Sequence, residues 1–344
     1  MTYKTALVVG AGAFGTSIAS VLANNFQRVI LLVRSKDVYN ALKKDKENKV
    51  YLPGHKLKDN IVPALNWEEV DKLSDGGLDL LVSGLPTQAI KNYFSENKKR
   101  FNDYLEKNIP LVSLSKGIDV DTLELPDDIF ASVLPGHSEK IMYLSGPSYA
   151  EEILEEQITL VALGGKSKKN LELAANMLDT SYFKVMLNYD VKGVLLGGAL
   201  KNLLAISGGI LEGLGFNHNT RAAMITRGIN EMLRFGLVYN ARPETFYGLS
   251  GMGDLILTVT GNLSRNKAFG IELAKGRKAK EILESQRFVV EGYKTTAAAY
   301  KIALKYDITA RMTHGLYGVL YEDRSPLDVI KHLMKVPTRF EVGG

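Results

Sequence analysis

The sequence contains no cysteine among its 344 residues. This absence excludes a disulfide framework, a thiolate metal site and a cysteine nucleophile. The sequence also lacks a run of about 18 uninterrupted apolar residues, the length that a membrane span needs. The longest candidate, 193–216, is interrupted by Lys201, Asn202 and Glu212. The N terminus lacks the basic start and long apolar middle of a signal peptide. We therefore expect no membrane span and a cytoplasmic location.

The charge balance is modestly basic, with a net charge of +5 and a pI near 9.0. The lysines are scattered and mixed with acidic residues. This distribution argues against a nucleic-acid-binding surface, which needs clustered cations. An anionic small-molecule ligand explains the excess more simply.

The order of apolar segments predicts two domains, in keeping with the length of the chain. Short apolar runs alternate with helical or mixed segments in the first half, which is typical of a parallel sheet covered by helices on both faces. The predicted strands are 5–10, 29–33, 78–83, 111–115, 141–145, 160–163 and 183–187, and 13–25 is the first predicted helix. Later segments are helical in pattern, namely 191–211, 220–235, 265–275, 295–305 and 327–334. We expect an α/β Rossmann-type dinucleotide-binding domain over 1–188 and an all-α substrate-binding and catalytic domain over 189–344.

A GxGxxG motif, formed by Gly10, Gly12 and Gly15, lies between the first predicted strand and the first predicted helix. Gly10 permits the tight turn, Gly12 lets a pyrophosphate approach the backbone, and Gly15 lets helix and strand pack closely. The helix N terminus offers free N–H groups to the phosphates. The alternative is a glycine-rich turn without a ligand. The position of the motif favours a dinucleotide site.

Arg34 follows the second predicted strand, where an NAD-specific site usually has an acidic residue. Its guanidinium could pair with a 2′-phosphate. The alternative is a solvated loop charge. We expect NADP(H) to be accepted.

Polar residues follow two other strands of the predicted sheet. Lys116 lies after one strand, and Gly146 and Ser148 lie after another. Ligands bind at the carboxyl ends of strands in such sheets, so these residues are expected at the cleft. The alternative for each segment is a simple turn.

An unusual apolar helix carries Gly197, Gly198, Lys201 and Asn202. Each glycine inside a helix costs roughly 1 kcal/mol relative to alanine, which a close backbone approach would justify. A buried lysine must be paired or must lower its pKa, and either makes Lys201 a candidate acid and base. The alternative is a lysine that extends to the surface.

The carboxylate of Asp254 lies between apolar stretches and could orient the amine of Lys201. Thr258 lies one helical turn later. Ser264 is a candidate N-cap, and Arg265 and Asn266 in the following turn form a candidate phosphate site.

Two further groups of residues bear on ligands. The carboxylate of Glu291 could reach a ribose hydroxyl. The five histidines show no metal-ligand spacing, so no metal site is expected; they are His55, His137, His218, His314 and His332.

Taken in order, these motifs resemble the bacterial type of NAD(P)-dependent glycerol-3-phosphate dehydrogenase. The resemblance runs from Gly10 to about residue 333 and rests on GAGAFGTSIA, YLPG, SKGI, SGPSYAEE, GGALKNLLAISGGI, ITRGINEM, GLSGMGDLILT, SRNKAFG and VVEGYKT. It implies reduction of dihydroxyacetone phosphate to sn-glycerol 3-phosphate, the backbone precursor of phospholipids, with NADP(H) or NAD(H). We also expect a homodimer.

The resemblance also implies roles for individual residues. The cofactor would contact Gly10, Gly12, Ala13, Phe14, Gly15, Arg34, Lys116, Ala150, Arg265, Val289 and Glu291. The substrate would contact Lys116, Gly146, Ser148, Lys201, Asp254, Ser264, Arg265 and Asn266, with Lys201 as proton donor and acceptor. Asn202 and Thr258 match positions that complete the polar site in related eukaryotic enzymes. One departure is Glu212-Gly213, where the family often has Asp-Gly.

Two rival functions remain open at this point. One is a dehydrogenase of the β-hydroxyacid type, which has an asparagine four residues after its catalytic lysine. Here that position holds Ala205, and Asn202 is adjacent to Lys201 instead, which disfavours this rival. The other is a non-catalytic Rossmann protein that senses NADPH, which the set of candidate catalytic residues disfavours.

Overall fold

The fold is described from a computed structural model, which covers residues 2–75, 77–285 and 290–335. The strands are β1 (Tyr3–Val9), β2 (Phe26–Leu32), β3 (Ile61–Ala64), β4 (Leu80–Ser83), β5 (Leu111–Ser113), β6 (Ile141–Ser145), β7 (Thr159–Gly164) and β8 (Phe183–Asn188). The helices that accompany the sheet are α1 (Ala13–Leu22), α2 (Lys36–Asp45), α3 (Trp67–Ser74), α4 (Thr87–Glu96), α5 (Lys98–Glu106), α6 (Pro126–Val133), α7 (Ala150–Leu154) and α8 (Lys168–Leu178).

After β8 the described chain is helical. The helices are α9 (Val191–Gly213), α10 (His218–Val238), α11 (Pro243–Tyr247), α12 (Asp254–Thr260), α13 (Arg265–Ala274), α14 (Ala279–Ser285), α15 (Glu291–Lys305), α16 (Arg311–Tyr321) and α17 (Pro326–Met334). A π-helical turn over Leu249–Gly253 leads directly into α12. The expected fold class, a Rossmann-type domain followed by an all-α domain, is confirmed. The division at residue 188 stays a prediction.

The eight strands form one sheet in the order β3-β2-β1-β4-β5-β6-β7-β8. All neighbouring strands are parallel except β6 and β7, which are antiparallel. The expected parallel sheet therefore contains one antiparallel pair that the sequence did not indicate. Helix α7 has only five residues and rises about 7.5 Å, which is too short to bring the chain back to the start of β6. The chain consequently reverses direction into β7.

Two local features differ from the sequence-based prediction. Strand β3 was not predicted; it has four residues, includes Pro63 and lies at the edge of the sheet. An edge position tolerates proline because the missing N–H need not bond a neighbour. Helix α15 begins at Glu291, one turn earlier than the predicted start at Thr295.

Helix α9 is the centre of the helical domain. By length and composition it is apolar enough to cross a membrane, but 94% of its most apolar stretch is buried inside the fold. It packs against α10, α12, α13 and α15, and also against β6 and β7. A helix that is buried on all sides needs apolar residues on every face, as α9 has.

Helices α9 and α13 cross at a pair of glycines. A methyl group on Gly209 would lie 2.0 Å from the carbonyl oxygen of Lys267, and one on Gly270 would lie 2.1 Å from that of Ile206. These distances are far below van der Waals contact. The two backbones therefore touch only because both positions lack a side chain.

We predict that Gly209→Ala lowers the free energy of unfolding by about 1–3 kcal/mol, because the added methyl group forces the helices apart. The loss should appear even though alanine favours an isolated helix by roughly 1 kcal/mol. Urea unfolding measures the change, with Ser207→Ala on the same helix as the control. An unchanged or higher free energy of unfolding for Gly209→Ala would contradict the close crossing.

Candidate active site

The glycine motif forms an open loop between β1 and α1. Gly10 has a φ of +103°, which favours glycine. A methyl group on Gly15 would lie 2.1 Å from the carbonyl oxygen of Gly10, whereas one on Gly12 would meet no atom within 4 Å. Gly15 is thus needed for packing, and Gly12 leaves free space at the N terminus of α1. This space fits a dinucleotide pyrophosphate.

A buried amide, which the sequence analysis missed, fixes this loop. Asn48 is fully buried, and its Nδ2 donates hydrogen bonds to the Ala11 carbonyl oxygen at 2.9 Å and to Thr16 Oγ1 at 2.8 Å. The sequence signal was weak: Asn48 lies three residues before Tyr51 of the YLPG segment. Only the fold shows that this segment contacts the glycine loop.

The expected cofactor site also includes residues outside the glycine motif. Arg34 is exposed two residues after β2, just before α2, whose N-cap is Ser35. Lys116 Nζ lies 5.3 Å from the centre of the Phe14 ring, so the glycine-loop helix and Lys116 share one cleft. Val289 lies outside the described residues.

Four polar side chains meet at the centre of the cleft. Asp254 is fully buried and accepts hydrogen bonds from two lysines, at Oδ1 from Lys201 Nζ (2.6 Å) and at Oδ2 from Lys116 Nζ (2.9 Å). Lys201 Nζ also donates to Thr258 Oγ1 at 2.9 Å. Thr258 in turn donates to the Asp254 carbonyl oxygen one helical turn earlier. One carboxylate thus joins a lysine from each domain.

This arrangement shifts the protonation of both partners. Burial lowers the pKa of Lys201 to about 8, the charge of Asp254 opposes this change, and the charge of Lys116 adds to it. Burial alone would raise the pKa of Asp254, but the ammonium groups of Lys116 and Lys201 hold it below its usual value. Asp254 is therefore a carboxylate at neutral pH, and Lys201 loses its proton close to the physiological range.

The helix glycines allow α9 to reach this cluster. A methyl group on Gly197 would lie 2.5 Å from the Ser250 carbonyl oxygen, which precedes Asp254 in the π-helical turn. One on Gly198 would lie 2.5 Å from Ser145 Oγ and 3.4 Å from Lys116 Cγ. Both glycines therefore mark close contacts, as their cost within a helix indicated.

A chain of amides links the cluster to the start of α13. Asn202 Nδ2 donates to the Lys116 carbonyl oxygen at 3.2 Å, and Asn266 Nδ2 donates to Asn202 Oδ1 at 3.0 Å. The Gly292 backbone N–H then donates to Asn266 Oδ1 at 3.0 Å. The two asparagines thus align α9, α13 and α15 around Lys116.

The start of α13 combines a helix N terminus with an arginine. Ser264 is confirmed as the N-cap, since its hydroxyl accepts the Lys267 backbone N–H at 3.2 Å. Arg265 is the first residue of the helix, and burial lowers its pKa, an effect opposed by the charges of Tyr51, Glu151 and Glu291. The guanidinium and the helix terminus favour an anion here.

The segment after β6 lies on the other side of Lys116. The Gly146 carbonyl oxygen accepts from Lys116 Nζ at 3.1 Å and from Ser148 Oγ at 2.9 Å. Gly146 has a φ of +137°, which a side chain would strain. Ala150, expected near the cofactor, is the first residue of α7.

Glu291 begins α15 at the edge of the cleft. A methyl group on Gly117 would lie 3.1 Å from Glu291 Oε2 and 2.8 Å from the buried hydroxyl of Thr87. Burial raises the pKa of Glu291 to about 7, which the charges of Lys294 and Arg265 oppose. Across the described ranges no group of three His, Asp or Glu side chains is placed to hold a metal ion.

Comparisons with known proteins agree across the chain. The family described as the NAD-dependent glycerol-3-phosphate dehydrogenase N-terminus matches residues 5–171, and that described as the C-terminus matches 190–331. The sequence is 40% identical to a glycerol-3-phosphate dehydrogenase [NAD(P)+] of Leptospira biflexa over 95% of this chain and 96% of that one. It is 39% identical to the protein of the same name from Solidesulfovibrio magneticus, over 95% and 97%.

A solved structure shows a similar fold. The crystal structure of glycerol-3-phosphate dehydrogenase from Coxiella burnetii superposes with a TM-score of 0.88 at 30% identity. The match covers 97% of this chain and 99% of that chain.

We predict that Asp254→Asn lowers the free energy of unfolding at pH 7 by about 3–5 kcal/mol, because Lys116 and Lys201 then lose their shared counter-charge. The loss should be smaller at pH 10, where Lys201 is already neutral, since its pKa is about 8. Denaturant unfolding at both pH values measures the effect. Asp103→Asn on the exposed face of α5 is the control. An equal loss at both pH values would contradict a charge-based cause.

Proposed function

This chain belongs to the NAD-dependent glycerol-3-phosphate dehydrogenase family, and on that basis we propose that its reaction takes place at the carboxylate-bridged lysines Lys116 and Lys201. The enzyme reversibly reduces dihydroxyacetone phosphate to sn-glycerol 3-phosphate with NAD(P)H, which supplies glycerophospholipid synthesis. The observation that carries the site assignment is the 2.6 Å contact between Lys201 Nζ and the buried Asp254 carboxylate.

Lys201 is the proton donor and acceptor. Reduction of the ketone leaves negative charge on its oxygen, which needs a proton, and a positioned acid contributes about 100- to 10,000-fold to such a step. The lowered pKa of Lys201, about 8, lets the same amine give a proton in reduction and take one in oxidation. Asp254 and Thr258 hold the amine in place.

The cofactor is held mainly by the N-terminal domain. The glycine loop and the N terminus of α1 would hold the pyrophosphate, and the Glu291 carboxylate would contact a ribose hydroxyl. When bound, the reduced nicotinamide supplies the hydride that the substrate carbon receives. Arg34 favours NADP(H), because its exposed guanidinium lies where an acidic residue would select NAD.

The substrate phosphate binds at the start of α13. Arg265, Asn266 and the N-terminal N–H groups of the helix converge there on an anion. Lys116 supplies a second cation close to the substrate oxygen.

The rival functions fit this geometry less well. A sensor of NADPH would have no use for a buried lysine with a pKa near 8. The β-hydroxyacid arrangement needs an amide four residues after the lysine, whereas Asn202 here is adjacent and bonded to Asn266. A homodimer and a cytoplasmic location complete the proposal.

We predict that kcat/KM for dihydroxyacetone phosphate reduction is halved near pH 8 and falls about tenfold per pH unit well above it, because reduction needs protonated Lys201. Oxidation of glycerol 3-phosphate should show the opposite trend. Lys201→Ala should lower kcat by about 100- to 10,000-fold with little change in the Kd for NADPH, and the exposed Lys305→Ala should behave as wild type. Near-normal kcat in Lys201→Ala would refute the assignment.

We predict that Arg34→Ala raises the KM for NADPH at least about tenfold more than the KM for NADH, since only NADPH carries the 2′-phosphate that Arg34 pairs with. Steady-state kinetics with both cofactors tests this, with Lys44→Ala on the exposed side of α2 as the control. Equal effects of Arg34→Ala on the two cofactors would show that another group recognises the phosphate.

A further inference from the structure

A buried lysine outside the catalytic cluster contacts the end of α12, the turn that follows it and the end of α9. The Lys267 side chain is only 4% exposed. Its Nζ lies 3.4 Å from the Thr260 carbonyl oxygen, at the end of α12, and 3.3 Å from Asn262 Oδ1, within the turn. It also lies 3.0 Å from Glu212 Oε2, in the last turn of α9.

These contacts join the three helices that carry the proposed site. Helix α9 carries Lys201, α12 carries Asp254, and α13 begins with Arg265. The Lys267 ammonium group thus links the end of α9, the end of α12 and the start of α13.

We propose that Lys267, held by Glu212, is a positioning residue that sets the place of the substrate-phosphate site. Lys267 does not itself touch the substrate, because its three acceptors already engage its ammonium group. Its effect passes through the turn 261–264 to Ser264, Arg265 and Asn266. The inference rests on the proposed phosphate site at the start of α13.

The Glu212 carboxylate has two basic partners in this arrangement. The Glu212 carboxylate accepts from Arg221 at 2.8 Å as well as from Lys267. Arg221 holds the same carboxylate from α10 but has no described contact with the turn, so it offers a matched comparison.

The test is the kinetics of Lys267→Met, Lys267→Arg, Glu212→Gln and the control Arg221→Gln. Lys267→Met should lower kcat/KM for dihydroxyacetone phosphate roughly 10- to 100-fold, because small misplacements of a binding group have effects of this size. The loss should lie mainly in the KM for dihydroxyacetone phosphate, with a much smaller change in the Kd for NADPH. The ratio of kcat/KM for dihydroxyacetone phosphate to kcat/KM for unphosphorylated dihydroxyacetone should fall by the same factor. Lys267→Arg should recover most of the loss, and Arg221→Gln should stay within about twofold of wild type.

The double variant Lys267→Met/Glu212→Gln separates the proposal from general destabilisation. If Glu212 acts through Lys267, the two effects on kcat/KM should fail to add. Should Lys267→Met not fold, Glu212→Gln alone must still raise the KM for dihydroxyacetone phosphate more than Arg221→Gln does. A lowered melting temperature with unchanged KM, or additive effects, would overturn the proposal. Absence of dihydroxyacetone phosphate reduction by the wild-type enzyme would instead refute the proposed function.

Discussion

The site depends on one buried carboxylate that has two ammonium neighbours. Asp254 has no exposed surface, so its charge must be compensated within the protein. Lys201 compensates it from the same domain and Lys116 from the other. Burial, together with repulsion from the Lys116 ammonium group, lowers the pKa of Lys201, so this amine holds its proton less firmly than an exposed lysine does. The chemistry of Lys201 follows from this competition among three charges.

Close backbone packing makes this charge cluster possible. A lysine side chain is long and flexible. Its amine takes a fixed position only where the backbone segments that carry its hydrogen-bond partners lie close to its own helix or loop. Glycines on α9 allow such approach at both ends of the helix, to the π-helical turn and β6 at one end and to α13 at the other. The helix thereby gives up some intrinsic stability to bring four elements into contact.

Local sequence patterns predicted much of this structure. The glycine loop, most strands and the long helices were predictable because each depends on residues close in the chain. The reversal at β6 and β7 was not, since it depends on how far a five-residue helix can carry the chain. The hydrogen bonds of Asn48 and the contact of Lys267 with Glu212 were not predictable either. The partners are distant in the sequence and come together only in the complete fold. Clustering of Lys116 with Asp254, 138 residues apart, was expected from family motifs and not from any local pattern.

The pairing of Lys116 with Asp254 has a mechanical consequence. Because the two residues belong to different domains, any rotation that widened the cleft along this line would pull an ammonium group away from a carboxylate in a dry environment. Opening the cleft along this line would therefore cost electrostatic free energy, because Asp254 is fully buried and would lose one of its two partners.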